Sequence, residues 1–167
     1  MWTRPFILAI VLILLPGALP RSASGAPGRE TEEQLLARIQ RERNLVKKAK
    51  YEIRLGQMKL QQAIEVYNQG NLELGAQLLA AHLERMRSSW QTLRHSGRNA
   101  ARQPQGFKEL EIALRVEARP LADLTRRVPY FYRSPIEKVA EEIEQLRTEV
   151  IQALFPPERP PARKKGR

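Results

Sequence analysis

Residues 60–95 read LQQAIEVYNQGNLELGAQLLAAHLERMRSSWQTLRH, and this stretch decides the fold class. Its second part carries apolar side chains at spacings of three and four residues, namely Leu72, Ala76, Leu79, Leu83, Met86, Trp90 and Leu93. This spacing puts them all on one face of an α-helix, so we predict a helix over 72–95. Gly70 and Asn71 precede it and favour a tight turn after an earlier helix. The stretch therefore predicts a helical hairpin.

The helix before the turn is predicted to be long. Thr31 and Gln34 have the spacing of a capping box, in which each side chain accepts a hydrogen bond from the other residue's amide. Apolar residues then recur with helical periodicity as far as the turn, which predicts one helix over 32–68. We expect it to bend near Gly56, because glycine weakens a helix interior by ~1 kcal/mol relative to alanine.

Two further helices are predicted after the hairpin. The third spans 105–127 and should be kinked at Pro120, since proline removes a backbone donor. The fourth spans 135–155, with Ser134 as the predicted N-cap and Glu137 completing a capping box.

Short links between amphipathic helices favour antiparallel neighbours. We therefore predict an all-α domain over 27–155, built as a small antiparallel bundle of about four helices with a long first helix. Coiled-coil association with another chain is the alternative, so self-association remains open.

The N-terminus has the order of a secretory signal. Arg4 is followed by the apolar run FILAIVLILL at 6–15, then by a Pro-Gly break and by small residues at 22–26. The run is shorter than the ~20 residues of a spanning helix. We predict a signal peptide over 1–26 and export to a bacterial periplasm or the exterior, a setting in which stability without cysteine rests on packing alone. The alternative is an N-terminal anchor that is not cleaved.

The C-terminal segment 156–167 reads PPERPPARKKGR and holds five cations against one acid, within a chain of net charge +11. It has no apolar periodicity, so we predict a disordered basic tail. Arg163, Lys164 and Lys165 are candidate contacts to an anionic surface.

Residues 60–83 resemble one helical hairpin of the tetratricopeptide repeat family. The likeness rests on Tyr67-Asn68-Gln69-Gly70-Asn71 at the turn, and on Gly75 and Leu79 at helix-packing positions. His82 stands where that family has a small residue, and no second copy follows at a 34-residue period. The resemblance implies a tight hairpin that serves as a protein-contact scaffold. The layout is also similar to uncharacterised exported bacterial helical proteins.

The residue types needed for catalysis do not form a pattern. The chain has two histidines, His82 and His95, and no cysteine, so no metal-ligand spacing is present. No phosphate-binding glycine loop and no nucleophile elbow occur either. We predict a non-enzymatic protein without a metal or cofactor.

Two surface patterns are candidate binding sites. Arg43, Lys47, Lys50 and Arg54 share one helical face, which predicts contact with anionic lipid or nucleic acid, or an ordinary solvated face. Tyr130, Phe131 and Tyr132 lie between arginines in a helix connection and predict either a partner contact or, as the favoured interpretation, a cap on the core. The sequence thus indicates a protein-interaction or scaffold module, with an envelope-associated binder of anionic surfaces as the alternative.

Overall fold

The computed structural model describes residues 30–157, and this part of the chain is helical without any strand. The predicted all-α class is confirmed. The α-helices are α1 (Glu32–Arg41), α2 (Leu45–Asn68), α3 (Leu72–His95), α4 (Phe107–Arg127) and α5 (Ser134–Leu154), with a 3-10 turn at Tyr130–Tyr132. The predicted signal peptide over 1–26 and nearly all of the predicted tail lie outside the described residues. No helix in the described part is both long and apolar enough to span a bilayer.

The prediction of a single helix across 32–68 is wrong, because the chain breaks at 42–44. The Asn44 side chain accepts hydrogen bonds from the amides of Val46 and Lys47 at 3.1 and 3.2 Å, which begins a new helix. The break lets α1 fold back on α2 and bury Leu35 and Ile39 against that helix. A continuous helix would have carried both side chains away from that contact.

Gly56 does not bend α2, and the expected bend is also wrong. The helix runs through it without interruption, and the glycine instead allows α3 to approach closely. A Cβ atom at Gly56 would lie 3.2 Å from the terminal methyl of Met86 on α3. Near the turn, a Cβ atom at Gly75 would lie 2.6 Å from the ring of Tyr67. Two glycines therefore set the spacing of the α2–α3 hairpin.

Consecutive helices run in opposite directions from α2 to α5. Ser88 of α3 donates to Glu52 of α2 at 3.0 Å, whereas the other ends of these helices meet at Tyr67 and Gly75. Arg147 of α5 likewise reaches back to Glu111 of α4, at 3.3 Å.

Helices two apart in the chain are therefore parallel. Lys50 of α2 pairs with Glu109 of α4 at 2.5 Å, and the far ends of the same helices are joined by Asn68 and Arg127.

One continuous apolar core lies between α2, α3, α4 and α5. Trp90 is buried in it as predicted for its stripe, and it packs edge-on to Phe107, with ring centroids 6.0 Å apart. The Trp90 indole N–H donates to Glu149 at 2.9 Å, so its polar atom is satisfied at the edge of the core.

The start of α5 differs from the predicted one. Arg133 is the N-cap residue, Ser134 is already helical, and no side chain caps the first turn. The preceding 3-10 turn leads directly into the helix, and the Arg133 carbonyl accepts from the amides of Ile136 and Glu137. A side-chain cap at Ser134 is therefore not needed to begin the helix.

Candidate functional site

A buried polar pair lies where α2, α3 and α4 meet. The His82 imidazole of α3 is 0% exposed and the Glu117 carboxyl of α4 is 4% exposed. His82 Nδ1 lies 3.0 Å from the Gly56 carbonyl oxygen of α2, and His82 Nε2 lies 3.4 Å from Glu117 Oε2. A carbonyl oxygen only accepts, so Nδ1 carries the proton and donates to Gly56. Nε2 then presents its lone pair to Glu117.

Burial sets the protonation of both groups. It lowers the pKa of the His82 imidazole from 6.5 to about 4, against the opposing effect of the hydrogen bond to Gly56. It also raises the pKa of the Glu117 carboxyl from 4.5 to about 8. At neutral pH the imidazole is therefore uncharged and Glu117 keeps its proton. Both side chains are therefore uncharged, and the pair lies in the core without a net charge. His82 Nε2 and both Glu117 oxygens are buried and make no hydrogen bond within residues 30–157.

This pair cannot act on a substrate, because neither side chain reaches the surface. It also lacks the further ligands that a metal ion requires. Among the residues that the structure describes, no group of three or more histidine, aspartate or glutamate side chains could hold a metal ion. Its role is structural, and it makes the stability of the fold depend on pH.

Sequence reasoning missed Glu117, although the pattern contained a signal. The apolar stripe of α4 recurs at Leu110, Leu114, Leu121 and Leu124, and position 117 fills the gap in that alternation of three and four. A carboxyl at such a position faces the core in a straight helix. A polar residue in an otherwise apolar stripe therefore indicated a buried acid, and His82 beside Leu83 was its candidate partner.

The aromatic connection between α4 and α5 projects from the surface. Tyr130, Phe131 and Tyr132 are 76%, 90% and 53% exposed. The favoured prediction that these rings cap the core is therefore wrong. The core at this position is already filled by Val128 and Ile136, which lie on either side of the turn and are buried.

Hydrogen bonds and ring contacts link the residues of the exposed turn. Its backbone closes through the Tyr132 amide, which donates to the Pro129 carbonyl at 2.9 Å. The Tyr130 and Phe131 rings meet edge to face at 5.9 Å, and the Arg133 guanidinium lies 6.0 Å from the Tyr130 ring centroid. Arg133 Nε in turn donates to the Val128 carbonyl at 2.9 Å. We call residues 130–132 the aromatic turn.

The predicted basic face of the first helix is divided by the fold. Lys50 is paired with Glu109 of α4, and Arg54 is paired with Glu30 at 2.9 Å. Arg43 and Lys47 are exposed, and neither forms an ion pair within residues 30–157. Half of the candidate set is thus neutralised locally. The other half lies at the beginning of α2, next to the end of α3.

That end of the molecule gathers cations from several helices. They come from the C-terminal ends of α1 and α3, from the N-terminal ends of α2 and α4, and from the loop after α3. The residues are Arg41, Arg43, Lys47, Lys48, Arg94, Arg98, Arg102 and Lys108. We call these eight residues the basic end. In the described part of the chain none of them belongs to an ion pair. The predicted contacts Arg163, Lys164 and Lys165 lie outside the described residues.

Comparison with known proteins adds no assignment to these surfaces. No protein-family model matches the sequence, and no match was found among curated proteins or among solved structures.

Proposed function

We propose that this chain is an exported, non-enzymatic helical protein that acts by contact with another protein, and that the aromatic turn is the contact. The observation that carries the proposal is the exposure of Tyr130, Phe131 and Tyr132 on one 3-10 turn. Helices α2–α5 serve as a four-helix antiparallel body in this proposal, and 156–167 as a disordered basic tail.

The composition of the chain makes the exposure significant. The protein has ten aromatic residues of the Phe, Trp and Tyr types, and three of them occupy this one turn. Each such ring can bury about 150–250 Å² of surface. Three rings therefore supply roughly half or more of the ~800 Å² that one partner contributes to a standard interface.

The turn also has the physical properties of a binding hot spot. Tyrosine and phenylalanine lose few rotamers on binding, and the ring contacts within the turn have already restricted them. The convex shape requires a concave partner, so the occupant is a protein with an apolar pocket that accepts the Phe131 ring. The resemblance of residues 60–83 to a tetratricopeptide hairpin supports a contact function for the adjoining scaffold.

The test uses a photoreactive phenylalanine analogue in the producing cells. It is placed at position 131 in one strain and at position 155 in another, because Phe155 is also an exposed ring, 76% accessible, at the opposite end of the body. We expect one protein adduct that forms from position 131 and not from position 155.

The purified partner is then titrated with full-length protein. Phe131→Ala should weaken binding by about 30-fold, the effect of an interface hot spot, while Phe155→Ala should leave the affinity unchanged. From position 131, adducts to lipid alone or to a second copy of this chain would refute the proposal, as would equal effects of the two variants on affinity for the partner.

A further inference from the structure

The helix ends that carry the basic end meet tightly in space. A Cβ atom at Gly106, just before α4, would lie 2.5 Å from the Leu93 side chain of α3 and 3.1 Å from Val46 of α2. Cations that are distant in the sequence therefore share one end surface of the bundle. The surface is formed by the ends of several helices and not by one face of a single helix.

Acidic residues at this end are already engaged. Glu109 accepts from Lys50 and from the Gly106 amide, the latter at 2.6 Å. The Glu42 carboxylate accepts from the Asn44 amide at 2.9 Å, and that of Glu149 accepts from Trp90. The eight cations of the basic end thus have no acidic partners of their own in the described part of the chain. The hydrogen bonds to Glu42 and Glu149 come from neutral N–H groups and leave both carboxylates charged, but the eight cations outnumber these acids, so this surface has a net positive charge.

An apolar groove lies beside these cations. Ala101, Pro104, Leu154 and Phe155 line it together with Lys108. Phe155 is 76% exposed and ends α5. Glu111 also lines this groove, and Arg94 and Arg98 line a neighbouring one with Pro156. An exposed apolar ring at an end rich in cations is typical of a surface that enters the headgroup region of a bilayer, where the ring leaves water and the cations meet phosphate.

From this juxtaposition we propose that the basic end is a docking surface for a membrane of anionic phospholipid. A nucleic acid fits less well, because a single strand stacks successive bases on several aromatic faces, and among the described residues Phe155 is the one exposed ring at this end. Trp90 is buried here, and the Tyr51 ring lies between the guanidinium groups of Arg38 and Arg54.

The test measures co-sedimentation of the full chain with vesicles of phosphatidylglycerol and phosphatidylcholine, and with vesicles of phosphatidylcholine alone. Binding should require the anionic lipid and should weaken as salt rises from about 50 to about 300 mM. Each cation near the surface contributes roughly fivefold in affinity, so Arg98→Gln with Lys108→Gln should weaken binding by about 25-fold.

The matched control is Arg119→Gln with Lys138→Gln, which removes the same charge from the other half of α4 and from the beginning of α5. It should retain wild-type affinity, and circular dichroism verifies that both double variants remain helical. Phe155→Ser should abolish the part of the binding that persists at high salt, because that part is apolar.

Five outcomes would overturn the proposal. The first three are no binding to anionic vesicles at low salt, equal losses in the two double variants, and persistence of the high-salt binding in Phe155→Ser. The fourth is loss of all binding when only Arg163, Lys164 and Lys165 are changed to glutamine, which would assign the attraction to the tail. Tighter binding of duplex DNA that alone depends on Arg98 and Lys108 would assign the basic end to nucleic acid instead.

Discussion

Replacing Glu117 with glutamine removes a carboxyl whose ionisation the core opposes. Glutamine has the shape of the protonated side chain and stays uncharged at every pH. The folded-state pKa of Glu117, about 8, lies above its unfolded value of 4.5. The stability that it contributes is therefore fully present below pH 4.5 and is lost as the pH rises through 8.

His82 behaves in the opposite way. Its folded-state pKa, about 4, lies below its unfolded value of 6.5, so its contribution is present above pH 6.5 and is lost as the pH falls through 4. Between pH 4.5 and 6.5 the slopes of the two groups cancel, because unfolding releases the Glu117 proton and takes up one at His82. The pair thus gives a plateau in stability across this interval.

Above the plateau only Glu117 contributes a slope. From pH 6.5 to 8 the free energy of unfolding should fall by about 2 kcal/mol, at ~1.4 kcal/mol per pH unit. Urea denaturation followed by circular dichroism at about pH 5.5, 6.5 and 8 measures this decline. In Glu117→Gln the free energy of unfolding should not show this decline. In His82→Gln the free energy of unfolding should begin to fall near pH 4.5 instead of 6.5.

Other titrating groups are common to all three proteins, so only the differences between them test the argument. If the wild type and Glu117→Gln lose stability in parallel above pH 6.5, the carboxyl is not held protonated by the core. If His82→Gln keeps the plateau, the two groups do not compensate each other.

Three further substitutions test the packing by denaturation against the wild type. Asn44→Ala should lower the free energy of unfolding by about 1 kcal/mol, because it removes the side-chain cap that begins α2. Asn44→Asp keeps a capping oxygen and should retain most of the stability, so equal losses in the two variants would show that the cap is not the cause. Gly75→Ala should cost about 1–3 kcal/mol, since its new methyl would meet the Tyr67 ring, and an unchanged midpoint would show that the ring moves freely. Trp90→Ala should cost about 3–5 kcal/mol through the cavity beside Phe107, and an unchanged melting temperature would place this residue outside the core.

The sequence predicted which helix faces pack in the core better than it predicted where the helices are interrupted. The stripe from Leu79 to Leu93 is buried throughout because apolar periodicity and burial have the same physical cause. The break at Asn44 was not predicted, since the same periodicity continues across it. A side-chain cap decides that break through two hydrogen bonds, and an asparagine before Leu45 and Val46 was the available sign of it.

The aromatic turn shows a different limit. Three aromatic rings in a helix connection are expected to be buried if the core beneath the connection has unfilled space. The sequence alone does not show whether that space is filled. Val128 and Ile136 occupy the space, so Phe131 is left almost fully exposed. Predicting this outcome requires knowledge of which residues of the connection enter the core first. Spacing gives that order within a helix but not within a turn.

The basic surface was predicted by its residue types but not by its location. Periodicity groups cations by helical face, and it therefore placed Lys50 and Arg54 with Arg43. The fold delivers an acid to each of the first two, Glu109 from α4 and Glu30 from the chain before α1. Cations without an ion-pair partner in the described part of the chain, such as Arg43, lie instead at the ends of several helices.

The order of helices makes this grouping recoverable in principle. Four helices that alternate in direction bring the beginning of α2, the end of α3, the beginning of α4 and the end of α5 to the same side of the molecule. Arg98 and Lys108 then lie at the same end as Arg43 although the chain separates them widely. A charge pattern therefore needs the topology before it indicates a surface. In this protein that topology sets positive charge at one end and the aromatic turn at the other, so mutations at the two ends test two separate interactions.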